Sequence, residues 1–525
     1  MHQRAPSAAT AGTRTARSWA WLTGVIGGVA GLALADFAAW ATGPAGQPVS
    51  AVGELIIAHL PASLINFGKE TLGTADKPIL LVIITVGVLV LCALAGQVEY
   101  RRPPAGAAVF ALVAVIGLVA VAARAHGELT AFLPTVIGLV FGYLLMRGLV
   151  GLLHAWRSAA DRAVPDAPQP RSAERRAFLR WTAVAGGLAV VGAAAGQALV
   201  NAANRVSAAR ESLRLPGAAK AAAPVPAGAD FGIPGLSPYL TPNDDFYRID
   251  TALQVPVIDP NSWSLSITGM VETPVTISYA ELAALPLVEH IATLTCVSNT
   301  VGGDLIGNAR WLGYPVRDLL ARAKPTAGAD MVLSVSQDDF TAGTPLSALT
   351  DPGREALLAI GMNGDPLPLE HGFPVRMVVP GLYGYVSATK WVTELKVTTF
   401  AADQGYWTPL GWSAKGPVKL ASRIDVPRHK VSVGQVVVAG VAWDQHVGVS
   451  KVEVGVDGVW HEAELAEVTS TDTWRQWRYE WTATRGDHTL TVRAYDTDGN
   501  VQVAAEATPA PDGATGYHSV TAHVG

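Results

Sequence analysis

Residues 290–310 read HIATLTCVSNTVGGDLIGNAR, with Cys296 near the centre. Ile291, Thr293 and Thr295 alternate with Ala292, Leu294 and Cys296, the period-two pattern of a buried strand. The pattern then breaks into a glycine-rich loop, Asn299 to Gly303. Cys296 is therefore expected where a strand hands over to a loop, which is where strand-based folds present reactive groups. The chain has one other cysteine, Cys92, inside an apolar run. With two cysteines in such different surroundings no disulfide is expected, and Cys296 reads as a free thiol. On residue type alone a lone cysteine is a small buried hydrophobe. Its neighbours decide whether it is more than that.

The segment Leu294 to Leu320, LTCVSNTVGGDLIGNARWLGYPVRDLL, resembles the molybdenum-cysteine segment of the sulfite oxidase family of molybdopterin enzymes. Two flanking segments agree. They are NDDFYRIDTALQVPVIDPNSWSLSITGMVE, Asn243 to Glu272, and LLAIGMNGDPLPLEHGFPVRMVVPGLYGYVSATKW, Leu357 to Trp391. The resemblance implies that Cys296 gives molybdenum a thiolate, a soft donor for a thiophilic metal, beside the dithiolene of the pterin and oxo groups. It implies catalytic roles for Cys296 and Arg248. It implies cofactor contacts at Phe246, Tyr247, Arg248, Ile249 and Asp250, at Asp338, at His371 and Arg376, and at Ser387 and Lys390. The residue types suit an anionic pterin. Arg376 offers a fork and Lys390 a point charge, both in or beside apolar strands where an uncompensated cation is costly.

The departures from the family pattern bear on substrate. Sulfite-oxidising members place several arginines and a tyrosine around the metal, and Arg248 matches one of them. Thr300 stands where another arginine is usual, and Ile360-Gly361 stand where a tyrosine precedes Met-Asn-Gly. The stretch matching a further pocket arginine reads WDQHVGVS, with His446 the nearest polar group. A doubly charged oxyanion needs several cationic donors in a dry pocket. A less charged small molecule, a sulfoxide or a similar oxo donor or acceptor, is therefore the expected substrate, with sulfite oxidation as the alternative. A non-catalytic membrane-tethered scaffold or binding module is the other class of reading, and the intact Cys296 argues against it.

Composition places this domain in a larger arrangement. The chain has 525 residues, 50% of them hydrophobic and 15% charged, against about 25% charged in soluble proteins. The apolar excess lies in the first 200 residues or so, where five runs are long enough to cross a membrane: Trp19–Ala41, Pro78–Gly96, Gly106–Ala122, Leu129–Leu153 and Trp181–Val200. Val52–Phe67 carries Glu54, His59 and Pro61 and reads as an interfacial or re-entrant helix. Arginines cluster before the first run, between the second and third, and between the fourth and fifth. That bias puts the N-terminus in the cytoplasm and everything after Val200 on the extracytoplasmic side. Arg175-Arg176-Ala177-Phe178-Leu179 resembles a twin-arginine export signal, the route for a domain that folds around its cofactor before crossing. His59, His126 and His154 form no pair on one run at bundle spacing, so no haem is expected.

The expected architecture is multidomain. Residues 1–200 form a transmembrane helical bundle, 201–236 an Ala/Pro-rich linker, 237–405 an α+β molybdopterin domain, and 406–525 an immunoglobulin-like β-sandwich. The sandwich is expected from short β runs such as Val436–Val441 and Val449–Val456; in the family it is the dimerisation domain, which implies a homodimer. The net charge is −5, and no basic patch with interleaved aromatics exists, so nucleic acid is not an expected partner. No CxxCH motif or cysteine cluster supplies an internal redox relay. A separate electron carrier, a cytochrome or a quinone, is expected alongside the small-molecule substrate and membrane lipid.

Overall fold

The computed structural model describes residues 8–42, 46–60, 64, 71, 76–124, 129–161, 176, 179–184, 187, 206–252, 255–428 and 430–525. The chain divides into two compact units, Met1–Asn204 and Arg205–Gly525.

The first unit is helical: α1 (Ala8–Thr42), α2 (Pro48–His59), α3 (Asp76–Arg101), α4 (Gly106–Arg124) and α5 (Leu133–Asp161). Four segments are long and apolar enough to cross a membrane: Trp19–Ala39, Lys77–Arg101, Gly106–Ala123 and Leu129–Ser158. They match the first four expected spans. Most of the fifth, Trp181–Val200, lies outside the described residues, as do His126 and Arg175 and Phe178 of the export segment. Helix α1 meets its neighbours backbone to backbone. A Cβ at Gly27 would meet the Gly142 carbonyl oxygen at 2.6 Å, and one at Gly31 the Gly138 oxygen at 2.6 Å. Small residues allow that close backbone approach. The buried Glu99 accepts the Gly106 N–H at 2.9 Å, which caps α4, and faces Arg147 at 3.5 Å.

The second unit begins with two sheets, the first mixed and the second antiparallel. The first runs β2 (Val275–Ser278), β1 (Ser264–Gly269), β10 (Val392–Thr398), β5 (Met331–Ser336), β6 (Thr341–Pro345). The second runs β3 (Val288–Thr295), β4 (Ile306–Pro315), β7 (Leu357–Met362), β8 (Asp365–Pro366), with β9 (Arg376–Val378) also on β7. The last five residues of β3 are all buried, because both of its faces are covered. Two short helices, Tyr279–Ala283 and Val316–Ala323, interrupt the strands, the first opened by a Ser278/Glu281 capping box.

The C-terminal sandwich packs the sheet containing Ala421–Val426, Gly434–Trp443 and Arg475–Ala483 against the sheet containing Val449–Val456, Gly486–Asp496 and His518–Val524. Val438, Val452, Val454, Trp477, Leu490 and Val492 fill the space between them.

Two expected boundaries need correction. The described part of the Ala/Pro-rich segment is no free tether, since it straps itself to the folded unit. Arg210 donates to the Leu367 and Pro366 carbonyls at 2.7 and 3.0 Å, Lys220 bridges to Val288, and Val206 and Ala229 are buried. Alanine and proline gave it a linker's composition, while its interspersed Leu213, Leu215 and Val225 gave it something to bury. At the other end, the stretch after residue 405 still packs on the cofactor domain's core through Trp407, Trp412 and Val418, and Leu420 is the first of its residues on the sandwich core.

Candidate cofactor cleft and metal-ligand site

Cys296 is the first residue after β3, and Thr295 pairs with Ile306 of β4, so residues 296–305 form the turn of one hairpin. The Cys296 N–H donates to the Leu305 carbonyl at 2.9 Å and closes the neck of the loop. The Asn299 N–H donates to the Cys296 carbonyl at 3.0 Å, and Asn299 Oδ1 accepts the Leu305 N–H at 2.9 Å. Gly302 has φ +75°, and a Cβ there would meet the His518 ring at 2.3 Å, so this position needs glycine on two counts. Both cysteines are free thiols, as the sequence implies.

The sandwich holds this loop from behind. Gln445 Nε2 donates to Thr295 Oγ1 at 2.7 Å, the Trp474 N–H to Thr293 Oγ1 at 2.8 Å, and Arg423 Nη1 to the Gly303 carbonyl at 2.6 Å. Asp472 accepts from His290 Nε2 at 2.7 Å and from His446 Nδ1 at 3.1 Å. Burial alone would raise this carboxyl, but the two histidine bonds overcome burial and hold its pKa at about 2.

In front of Cys296 lies a cleft. Of the residues expected at the cofactor, Phe246, Tyr247, Ile249, Asp250, Asp338, Arg376 and Lys390 line it with Cys296. Three are not on the wall. Arg248 turns aside and donates to Asp250 Oδ2 at 3.0 Å. Ser387 is fully buried and donates to the Tyr383 carbonyl at 2.9 Å. His371 sits behind Phe246, ring centroids 5.5 Å apart. The substrate-side positions also fall away from the cleft. Ile360 is a core residue, Thr300 lines a separate small cavity beneath the sandwich, and His446 is bonded to Asp472.

The electrostatics of the floor fit an anionic pterin. Arg376 is 4% exposed; it donates to the carbonyls of His371, Met377 and Ala388 at 3.1, 3.3 and 3.4 Å. Among the described residues it makes no ion pair, and burial lowers its pKa to about 10. A buried guanidinium on carbonyls alone is what a phosphate would complete. Lys390 Nζ donates to Asp250 Oδ2 at 2.9 Å and to the Glu370 carbonyl at 2.8 Å, and burial lowers it to about 8. Burial and the nearby cations push His371 down to about 3. Its neutral ring donates from Nε2 to the Asn243 carbonyl at 3.2 Å, which leaves Nδ1 as a buried acceptor without a donor. Asp338 Oδ1 is likewise buried without a partner, and burial raises that carboxyl. The unpartnered Asp338 acceptor and the Arg376 cation on one cleft wall match a ligand that presents N–H groups at one end and an anion at the other.

The rim is different in kind. Phe340, Tyr385, Trp407 and Trp412 line it, with Trp412 5.9 Å from Tyr385 and 6.2 Å from Trp407 between ring centroids. Sequence reasoning passed over this group. Its signal was the YWTPLGW stretch, in which two tryptophans flank a Pro-containing turn.

Comparison with known proteins agrees with this geometry. The oxidoreductase molybdopterin-binding domain family matches residues 252–407, and the bacterial Ig domain family matches residues 423–492. Sulfite oxidase of Arabidopsis thaliana is 29% identical over 330 residues, which cover 51% of this chain and 83% of that protein. Mitochondrial sulfite oxidase of Homo sapiens is 30% identical over 315 residues, covering 50% of this chain but only 57% of its own length. The sulfane dehydrogenase SoxCD from Paracoccus pantotrophus aligns in three dimensions at 22% identity with a TM-score of 0.48, over 54% of this chain and 81% of that one. Through the domain built around Cys296, which matches the oxidoreductase molybdopterin-binding domain family, this chain is a molybdopterin-dependent oxidoreductase similar to the sulfite oxidases.

Proposed function

We propose that this protein is a membrane-anchored oxidoreductase that transfers an oxygen atom to or from a small uncharged substrate, a sulfoxide or a close analogue. The observation that carries the reading is the make-up of the cleft wall. Arg376 and Lys390 are its only cations among the described residues, and both lie on the buried side with the pterin-matching groups. What faces a substrate is Tyr247, Tyr385, Phe340, Trp407 and Trp412. Aromatic faces favour neutral, polarisable groups and give a sulfite dianion nothing to pair with.

The chemistry that bound molybdenum supplies is two-electron oxo transfer. The chain's own residues do the rest. Cys296, fixed by the hairpin neck and the sandwich, holds the metal in one place. Arg376 and Asp338, on the cleft wall, would anchor and orient the pterin, with His371 packed behind Phe246. The Tyr247 phenol, kept neutral by burial beside Cys296, borders the reacting position as a hydrogen-bond donor. Trp407 and Trp412 exclude water from the substrate side.

The four apolar helices would anchor the enzyme, and the arginine bias sets the cofactor domain on the extracytoplasmic side, exported through the Arg175-Arg176 segment. Arg175→Lys with Arg176→Lys should leave the domain in the cytoplasm; normal export of that variant overturns the route. The substrate test uses full-length protein in detergent with a redox dye. Methionine sulfoxide or dimethyl sulfoxide should turn over and sulfite should not. The competing reading is sulfite oxidation, the activity in the relatives' names, and sulfite turnover at a rate above that of both sulfoxides would establish it instead.

A further inference from the structure

Helices α1 to α5 enclose a second cavity, whose walls include Gly28, Val52, Phe110, Gly117, Thr135 and Leu139. The walls are apolar apart from the Thr135 hydroxyl and the weakly polar Cys92 thiol. Thr135 is 2% exposed, lines the cavity, and its Oγ1 has no hydrogen-bond partner. Thr23 and Thr85 behave otherwise, donating to the Ala20 and Leu81 carbonyls, both at 2.8 Å, whereas Thr182, which does not line the cavity, also lacks a partner. That back-bond is the usual refuge of a helical threonine in an apolar setting. Thr135 stands in the first turn of α5, at the end of the bundle opposite Arg101 and Arg157. Arg157 donates to the Tyr100 hydroxyl at 2.9 Å, which marks the arginine end.

We propose that this cavity binds the ring of an isoprenoid quinone, with a ring carbonyl accepting from Thr135. The inference rests on reading the four helices as membrane spans and the chain as an oxidoreductase. A ligand for apolar walls inside a membrane must be lipid-soluble. An acyl chain would satisfy those walls and leave the Thr135 hydroxyl unanswered; a quinone carbonyl answers it. Phe110 supplies a ring face. Gly117 leaves room: a Cβ there would meet only the Thr135 methyl, at 3.1 Å. Most of the other glycines lining the cavity are already committed to helix contacts, as at Gly27 and Gly31. A quinol also matches the chemistry, because it carries two electrons. With a sulfoxide as oxidant, the quinol releases two electrons and two protons, the S–O bond breaks, and the products are sulfide, quinone and water.

The test uses the full chain purified in detergent. Organic extraction should recover quinone near one per chain, and decylubiquinone should bind by calorimetry. Thr135→Val should weaken that binding about tenfold, the loss of one hydrogen bond; Thr135→Ser should restore it, and Gly117→Leu should abolish it. Extraction of phospholipid alone, or equal decylubiquinone binding by wild type, Thr135→Val and Gly117→Leu, overturns the proposal. Molybdenum content and dye-linked turnover are read in parallel on the same variants, where both should stay unchanged. Loss of dye-linked sulfoxide turnover in wild type, with quinone still bound, sinks the substrate reading and leaves the quinone site standing.

Discussion

On the floor of the cleft, the buried cations Arg376 and Lys390 lie with Asp250 and Asp338, drawn from separate sequence motifs. At its rim, Phe340, Tyr385, Trp407 and Trp412 offer rings and no charge. The floor is specific because burial makes every unpaired polar atom costly, so the bound group must match it atom for atom. The rim excludes water and admits a range of shapes, and chemistry of that kind can change while the cofactor stays the same.

The comparison is broken most severely at the atom both regions serve. Cys296→Ser should abolish turnover and strip molybdenum from the protein, read by metal analysis and by loss of the visible thiolate-to-metal band. Unchanged metal and turnover would remove the basis for calling this cleft a metal site. Arg376→Gln tests the floor. Losing a charge-assisted bond of about 1.5–3 kcal/mol should lower pterin retention roughly 10- to 100-fold, while Arg376→Lys should keep part of it. Full cofactor in Arg376→Gln would mean that the guanidinium serves only the three carbonyls it already touches.

Behind the floor stands the clamp at Asp472, where the sandwich grips β3 through His290 and through its own His446, with Arg354 and Asp351 nearby. The carboxyl titrates at about 2 in the folded protein, below its ordinary value near 4. Its contribution is therefore complete above about pH 4 and lost as pH falls through about 2; the shift corresponds to about 2 kcal/mol. Melting curves of wild type and Asp472→Asn should differ at pH 5 and converge toward pH 2. A gap that does not change with pH would show that Asp472 acts only by filling space.

How much of this could be read from the chain follows the same division. The floor was legible because its residues lie in short motifs where a cation or histidine interrupts an apolar run, as in HGFPVR and SATKW. The strand before Cys296 was legible by its alternation. Strands β4 and β7 were not, because IGNARWLGYP and LLAIGM have both faces buried and carry no period. Arg248 and Ser387 sit inside the right motifs but point elsewhere, one drawn off by Asp250 and the other by backbone carbonyls. Local sequence does not reveal which of two nearby acceptors a side chain takes. The rim was hidden because Phe340, Tyr385, Trp407 and Trp412 come from three separate segments and converge only when the stretch after residue 405 folds back on the cofactor domain.

Trp412 gives the smallest and most discriminating effect. It touches both Tyr385 and Trp407, so its removal opens the rim without reaching the floor. An aromatic contact of this kind contributes about 0.5–1.5 kcal/mol, so Trp412→Ala should lower kcat/KM for a sulfoxide about 2- to 10-fold at unchanged molybdenum content. The fall should appear in KM if the ring only binds substrate, and in kcat if it also keeps water from the reacting position. Loss of molybdenum in Trp412→Ala would join rim and floor into one structural unit, and the idea that substrate choice varies independently of the cofactor would fail with it.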